Sequence, residues 1–399
     1  MYNKILNRAK ELEPQTAKFL ADLIRTPSFS GKEKDVIEVI KKKMLKEGFD
    51  EVRIDGLGNI IGRIGNGPRV IAFDAHIDTV YAGEMSLWDF DPFTPKIEDG
   101  KVWGRGTVDQ KGGMASMVFA GKMIKELGLN DKFTVLFTGT VMEEDCDGLC
   151  WQYLIKEEKL NPELVVITEP TNMNIYRGHR GRMEILVSVQ GISCHGSAPE
   201  RGDNAIYKIS RISLEIEKLN ERLINDDFLG KGTVCVTQVF FSSPSQCAVP
   251  DAASIQLDRR LTYGETKESA LKEVREAAKI AGYSDAVVEV LQYKEKAYTG
   301  ITYSTEKYFP TWKTPEDSEY VKDSVEVYEN IFKKKPLVDK WTFSTNAVAI
   351  AGMYDIPCIG LGPGNEVYAH MANEACPVDH LSGAAAFYAG LVYKMNNGK

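Results

Sequence analysis

Short, almost continuously apolar strands separated by helical segments are the feature that most constrains the fold of this chain. The strand-like runs are RVIAF (69–73), FTVLFTGTV (133–141), LVVIT (164–168) and IPCIGLG (356–362). Helical segments such as GGMASMVFAGKMIKEL lie between them, and SFSGKE offers Ser30 and Glu33 as a capping box for a helix through IEVIKKKMLKEG. Unbroken apolar strands are typical of a parallel sheet that helices cover on both faces. The pattern therefore predicts an α/β domain with a mostly parallel sheet.

The region from 180 to 296 follows a different pattern. It reads as strand, helix, strand, strand, helix, strand, which is the β-α-β-β-α-β order of a ferredoxin-like domain. Apolar strands of the parallel type resume only after it, so the region is interpreted as an insertion. The predicted division is a catalytic domain in two parts, 1–179 and 297–399, with an inserted domain at 180–296.

Composition limits the classes of partner. The 399 residues are 43% hydrophobic and 27% charged, which is typical of a soluble globular protein. A net charge of -8 argues against binding nucleic acid, because a phosphate backbone would be repelled. No apolar run approaches the roughly 20 residues of a spanning helix, so no membrane association is expected. The seven cysteines form no CxxC pair, which fits reduced thiols in a reducing compartment. The N-terminus is charged and amphipathic rather than a signal peptide, so a cytoplasmic location is expected.

Every apolar strand leads into histidine or carboxylate residues. The strand ends read DAHID, MEED, EP and GPGNEVYAHMANE, and they carry His76, Asp78, Glu143, Glu144, Glu169 and His370. The stretch GRGTVDQKGG adds Asp109. Ligands of open α/β sheets bind beyond the carboxyl ends of the strands, so these side chains are expected to meet at one edge.

Each of these residues alone has an ordinary structural explanation. If they all meet at one edge, however, the negative charges of their carboxylates repel one another unless a cation compensates them. Imidazole and carboxylate ligands together suit Zn²⁺ and, less exclusively, Mn²⁺ or Co²⁺. A pair of metals would need one carboxylate to bridge them. The sequence therefore predicts a metal site at the carboxyl edge of the sheet.

At these residues the chain resembles a known family, the di-zinc metallopeptidases and amidohydrolases. That family includes acetylornithine deacetylase, succinyl-diaminopimelate desuccinylase, aminoacylases and glutamate carboxypeptidase. The matching stretches run in the family's order across nearly the whole chain: AHIDTV, WGRGTVDQKGGMA, the Glu143–Glu144 pair, TEP, CHGSAPERGDNAI, VPD with DRR, and GPGNEVYAHMANE. The stretches EEDCDGLCWQYLI and GHRGRMEI also resemble a subgroup described as selenium-metabolism-linked hydrolases.

The resemblance implies a role for each residue of the predicted metal site. His76 and Glu169 would hold one zinc, Glu144 and His370 the other, and Asp109 would bridge the two. Asp78 would orient His76 and fix its tautomer. Glu143 falls at the position of the general base, which takes a proton from the attacking water and returns it to the leaving amine.

The resemblance also implies roles for the inserted domain. His195 matches a histidine that stabilises the oxyanion, often in the site of the partner subunit, so the inserted domain would serve as lid and as the platform of a homodimer. Arg260 matches a position that binds the substrate carboxylate. Cys247 and Asn346 depart from the family's usual Asn and Asp, and neither position is a metal ligand, so these departures concern the substrate more than the reaction.

The expected function is a metal-dependent hydrolase that cleaves an amide bond in a small carboxylate-bearing substrate, of the N-acyl amino acid deacylase type. The alternative within the family is a dipeptidase, aminopeptidase or carboxypeptidase, which would act on short peptides. A non-catalytic binding paralogue is a more remote alternative, because such paralogues usually lose ligands or the base, and this chain has the full set.

Overall fold

The computed structural model describes residues 1–398 and contains two sheets that hold most of the strand residues. In chain order, the strands of these two sheets are β1 (Glu51–Ile54), β2 (Ile60–Ile64), β3 (Arg69–His76), β4 (Phe133–Thr140), β5 (Leu164–Ile167), β6 (Ile175–Tyr176), β7 (Gly181–Gln190), β8 (Thr233–Ser242), β9 (Ala252–Leu261), β10 (Val287–Val290), β11 (Tyr308–Phe309), β12 (Val338–Asp339) and β13 (Cys358–Gly360). Shorter ladders are formed by Lys96–Glu98, Lys101–Trp103 and Ala375–Pro377, by Asn225–Asp226 with Gly230–Lys231, by Gln292–Tyr293 with Thr305–Glu306, and by Gly178–His179 with Trp312–Lys313.

The helices flank the sheets. They are α1 (Tyr2–Ile24), α2 (Lys34–Lys46), α3 (Lys111–Leu127), α4 (Leu149–Lys156), α5 (Ala205–Arg222), α6 (Lys267–Ile280), α7 (Glu319–Phe332), α8 (Ala347–Ile350) and α9 (Val378–Asn397). Three short 3₁₀ turns lie at Met85–Leu87, Pro199–Arg201 and Glu366–Tyr368. Helices α1, α3, α7 and α9 pack against one another. None of the helices described in 1–398 combines the length and the apolar character that a bilayer crossing requires.

The larger sheet has eight strands in the order β1-β2-β4-β3-β5-β13-β6-β12. Strand β3 is central and runs parallel to β4 on one side and to β5 on the other, while β5 also pairs in parallel with β13. Every residue of β5 and β13 is buried. The expected α/β fold with a mostly parallel sheet is therefore confirmed.

The smaller sheet is antiparallel and has its own hydrophobic core. Its strand order is β8-β9-β7-β10, with β11 pairing beside β7. Burial alternates residue by residue along β7 and β9, so one face of the sheet packs on α5 and α6. This arrangement confirms the ferredoxin-like domain, which we call the lid. Its exact boundaries at residues 179 and 296 stay a prediction.

The predicted capping box at the start of α2 is wrong. The helix begins at Lys34, its N-terminal flank is Glu33, and no side chain in the described part of the chain caps it. The Ser30 hydroxyl instead donates to the Asp78 carboxylate at 2.7 Å. The buried Glu33 carboxylate accepts from the backbone N–H groups of Gly31 and Met142. Both side chains therefore connect the helix to the carboxyl edge of the sheet, an interaction that local spacing does not reveal.

Asn346 joins the centre of the larger sheet to the helices beside it. Its Nδ2 donates to Asp74 on β3 at 2.9 Å and to the Thr140 hydroxyl at 3.1 Å. Its Oδ1 accepts from the Gly148 N–H at 2.9 Å. Burial raises the pKa of Asp74, so an amide donor is better suited to this position than a second carboxylate. The buried hydrogen bonds of Asn346, rather than a contact with substrate, therefore explain why this position carries an amide.

The variant Asn346→Asp should lower the free energy of unfolding by at least about 2 kcal/mol near pH ~8, because it places a second carboxyl group against buried Asp74. The deficit should shrink towards pH ~5, because the folded pair binds a shared proton more tightly than the unfolded chain does. Urea denaturation at both pH values measures the effect. Asn346→Ser removes the amide without adding a carboxylate and serves as control. Wild-type stability of Asn346→Asp at the higher pH would contradict this account.

Candidate metal centre

Parallel strand ends bring the predicted ligands together. His76 is the last residue of β3 and lies in register with Thr140, the last residue of β4. The chain after β4 reaches Glu143 and Glu144 within one turn, and Glu169 follows β5. The cluster therefore forms because three neighbouring parallel strands end at one edge of the sheet.

The His76 ring is buried at the middle of this edge. Its Nε2 lies 2.9 Å from Asp109 Oδ1, 3.5 Å from Glu169 Oε1 and 3.7 Å from Glu143 Oε2. Its Nδ1 lies 2.9 Å from the backbone carbonyl of Asp78. Since Nδ1–H donates to that carbonyl, Nε2 faces the cluster with its lone pair available to a metal.

Asp109 lies between two histidines. While Oδ1 faces His76, its Oδ2 lies 3.2 Å from Nε2 of His370. The same His370 nitrogen lies 3.1 Å from Glu144 Oε2. Each oxygen of one carboxylate thus points to a different imidazole, which is the geometry that a bridging ligand of a metal pair requires.

The carboxylate of Asp78 holds the turn that carries the two glutamates. Its oxygens accept from the backbone N–H of Glu143 at 3.2 Å and of Glu144 at 3.1 Å, in addition to Ser30. The closest partner of His76 Nδ1 is the Asp78 carbonyl, whereas the Asp78 carboxylate is 3.4 Å away. Asp78 therefore positions both His76 and the glutamate pair.

Burial and mutual repulsion dominate the electrostatics of the cluster. Burial raises the pKa values of Glu143 and Glu169 well above their usual range. Burial and the charge of Asp109 raise the pKa of Glu144 to about 7. Hydrogen bonds to Asp109 and Glu144 raise the pKa of His370 to about 10. These carboxylates hold protons unless another positive charge stabilises them, and a divalent cation would supply it.

The residues fit a metal pair. Two triads have potential ligand atoms within 4.8 Å of one another: His76, Glu143 and Glu169, and His76, Asp109 and Glu144. The buried Oε2 of Glu169 has no hydrogen-bond partner within residues 1–398, although such an atom is costly unless something binds it. Imidazole nitrogens and carboxylate oxygens are ligands that Zn²⁺ accepts. Glu143 lies close enough to His76 and Glu169 to be a metal ligand itself, so its position alone does not distinguish a ligand from a general base.

The cluster opens into a cavity of about 330 Å³ between the two sheets. The described residues that line it are Asp109, Glu143, Glu144, Asp147, Glu169, Arg182, Arg260, Phe343, Ser344, Glu366, Ala369 and His370. Arg260 is among them, while its predicted contact with a substrate carboxylate stays a prediction. His195 does not line it; the ring is exposed on the lid, with its Nδ1 accepting from the Ser197 hydroxyl at 2.7 Å. Cys247 lies beside His195, because its carbonyl accepts from Gly196 N–H.

Sequence reasoning missed Glu374, which fixes the loop that carries Asp109. This fully buried carboxylate accepts from Arg105 Nη1 at 2.8 Å. It also accepts from the backbone N–H groups of Gly106, Val108 and Asp109 at 2.9, 2.6 and 3.1 Å. Glu374 lies in the quoted stretch GPGNEVYAHMANE, but no spacing in the sequence shows that it faces a loop so distant in the chain.

Comparison with known proteins agrees with the motifs. The model of peptidase family M20/M25/M40 matches residues 72–394. The chain belongs to this family. The resemblance drawn from the sequence is thereby confirmed, and with it the class of metallohydrolase. Family membership implies a dinuclear metal centre, for which the clustered residues offer matching ligands.

Individual relatives agree with this assignment. The chain is 54% identical to Escherichia coli K12 YgeY, an uncharacterized protein, over 98% of this chain and 96% of that one. It is 33% identical to a probable succinyl-diaminopimelate desuccinylase of Staphylococcus epidermidis, over 49% of each chain. The fold matches Bacillus subtilis YXEP, described as a dinuclear metal binding peptidase of the M20 family, with a TM-score of 0.70 at 16% identity, covering 96% of this chain and 98% of that one.

The variant Glu374→Gln should lower the free energy of unfolding by about 2–4 kcal/mol, because a buried acceptor of several N–H donors loses its charge and one acceptor atom. Metal affinity should fall as well, since the Asp109 loop loses its anchor. Urea denaturation and a metal titration measure the two effects. Glu98→Gln makes the same chemical change on an exposed strand and should alter neither quantity. Unchanged stability of Glu374→Gln would refute the anchoring role.

Proposed function

We propose that the protein hydrolyses an amide bond in a small, carboxylate-bearing substrate of the N-acyl amino acid type. The observation that carries the proposal is the cluster in which Asp109 lies between His76 and His370 while Glu143 faces the same cavity. Zn²⁺, or else Co²⁺ or Mn²⁺, bound there would polarise the amide carbonyl and lower the pKa of a water. The sequence match to a probable desuccinylase, which covers 49% of each chain, supports a deacylase.

In this proposal Glu143 handles the proton. Its carboxylate is buried beside the cluster, and burial raises its pKa. A carboxylate with a raised pKa accepts a proton from the attacking water more readily and can donate it to the leaving amine. Asp78 would keep Glu143 in place through the Glu143 N–H. The neighbouring Glu144 would bind metal together with His370. Of the two adjacent glutamates, one would thus transfer protons and the other would be a metal ligand.

The surface of the lid supports a homodimer. Strand β8 lies at the edge of the lid sheet, and three of its consecutive apolar side chains are exposed: Val239, Phe240 and Phe241. Tyr207 and Leu214 on α5 are exposed as well. An unpaired edge strand with apolar side chains is a template for pairing with another chain. The exposed His195 would then reach the cavity of the partner subunit.

A dipeptidase or aminopeptidase is the second candidate, and one observation favours it. Glu366 lines the cavity, and its buried Oε2 has no hydrogen-bond partner within residues 1–398. Such a carboxylate would suit the α-ammonium group of a peptide. A substrate requirement for a free α-amine would distinguish this activity from deacylation.

The variant Glu143→Gln should retain metal but lose at least about 100-fold in turnover, because only proton transfer is removed. Amine release from N-acetyl, N-succinyl and N-carbamoyl amino acids and from dipeptides, with metal content measured in parallel, tests this. Glu144→Gln is the matched control, as the same change one residue away should reduce metal content. Normal turnover by metal-loaded Glu143→Gln would refute the assignment.

The variants His195→Ala and Glu143→Gln should each be nearly inactive while His195→Ala keeps its metal. When equal amounts of the two are unfolded and refolded together, the mixture should recover about a quarter of wild-type activity. About half of the dimers are then mixed, and one of the two sites in each mixed dimer combines intact Glu143 with the partner's intact histidine. Co-refolded pairs assayed beside each variant alone measure this. No recovery in demonstrated mixed dimers would show that His195 does not serve the partner's site.

A further inference from the structure

The guanidinium of Arg182 lies in the cavity, and within residues 1–398 no carboxylate is hydrogen-bonded to it. The residue lies on lid strand β7 and lines the same cavity as Glu143 and Asp109. Its nearest carboxylates are Asp147, at 3.5 Å from Nη2, and Glu184, at 3.8 Å from Nη1. Both distances exceed the usual length of such hydrogen bonds, about 2.7–3.2 Å.

The Arg182 side chain is nevertheless held in a defined position. Its side chain is only 20% exposed, and the guanidinium carbon lies 4.6 Å from the centre of the buried Phe309 ring. The Nε–H is buried and has no hydrogen-bond partner within residues 1–398. A stacked, desolvated guanidinium with an unsatisfied Nε–H presents a pre-positioned fork of N–H donors, which suits a planar anion such as a carboxylate.

Arg260, the residue expected to bind the substrate carboxylate, is occupied differently. Its Nε and Nη2 donate to the two oxygens of Asp258 at 2.8 and 3.0 Å. Arg182 and Arg260 lie directly opposite each other on β7 and β9. Like charges in such cross-strand positions are destabilising. Asp258 pairs with Arg260 through two hydrogen bonds, whereas the carboxylates nearest Arg182 within residues 1–398, Asp147 and Glu184, form none with it.

We propose that Arg182 is the residue that binds a carboxylate of the substrate, through its unoccupied guanidinium fork at the lid side of the cavity. The inference rests on the proposed function, because it names the substrate group that the hydrolase recognises away from the metal ligands. A second carboxylate, or the amide carbonyl, would lie at the cluster. The favoured substrates are therefore amides that carry a carboxylate within reach of Arg182, and Arg260 has the smaller part in binding it.

The test uses inert ligands and so does not depend on turnover. Dicarboxylates from malonate to adipate, each paired with its monoamide, are titrated calorimetrically into the metal-loaded protein. The wild type should bind the dicarboxylate of suitable length about 10- to 100-fold more tightly than its monoamide, because only the former offers a second anion to Arg182. Arg182→Gln should abolish that preference with unchanged metal content. Arg260→Gln, the matched control on the opposite strand, should keep most of it.

Arg182→Lys guards against a folding effect, since it retains the charge but not the fork and should keep a reduced preference. A loss of structure alone would weaken both members of a ligand pair equally. Full preference in Arg182→Gln, or no preference in the wild type for any length, overturns the proposal. Amine release from N-acyl amino acids is measured separately: its absence, with the preference intact, would remove the hydrolase function and leave the anion site.

Discussion

Repulsion among buried carboxylates at the carboxyl edge of the larger sheet is the constraint on which the rest of the structure depends. Glu143, Glu144 and Glu169 have raised pKa values there because burial and neighbouring charges disfavour their ionised forms. Two imidazoles offset part of the charge, with Asp109 between them. Such a cluster is stable in its ionised form only with further positive charge, and this is the property that a metal centre needs.

Backbone amides keep this cluster in place. Asp78 accepts from the N–H groups of the two glutamates, and Glu374 accepts from those of the Asp109 loop. Neither carboxylate belongs to the two triads of potential metal ligands. By ordering the loops that bear the ligands, Asp78 and Glu374 reduce the conformational entropy that metal binding must otherwise overcome. Ser30 contributes in the same way, because its hydroxyl donates to the Asp78 carboxylate and holds it in position.

The lid supplies positive charge to a cavity that the sheet edge makes acidic. Arg182 and Arg260 come from neighbouring lid strands and face the cluster across the cavity. Asp258 holds Arg260, while Phe309 supports Arg182 and leaves its Nε–H unsatisfied. The cavity is thus lined both by the potential metal ligands and by two guanidinium groups of the lid. An anionic amide substrate would match that distribution.

The sequence by itself determined four parallel strands of the larger sheet, the lid and the residues of the cluster, because unbroken apolar runs specify parallel strands and parallel strands end together. It could not determine the partners of these residues. The capping box at Ser30 and Glu33 satisfied a local spacing, yet both side chains bind groups far along the chain. Glu374 contacts a loop 266 residues away. Only the tertiary structure decided these contacts and which arginine lacks a hydrogen-bonded carboxylate among residues 1–398, since hydrogen bonding depends on distances in space that local sequence patterns do not encode.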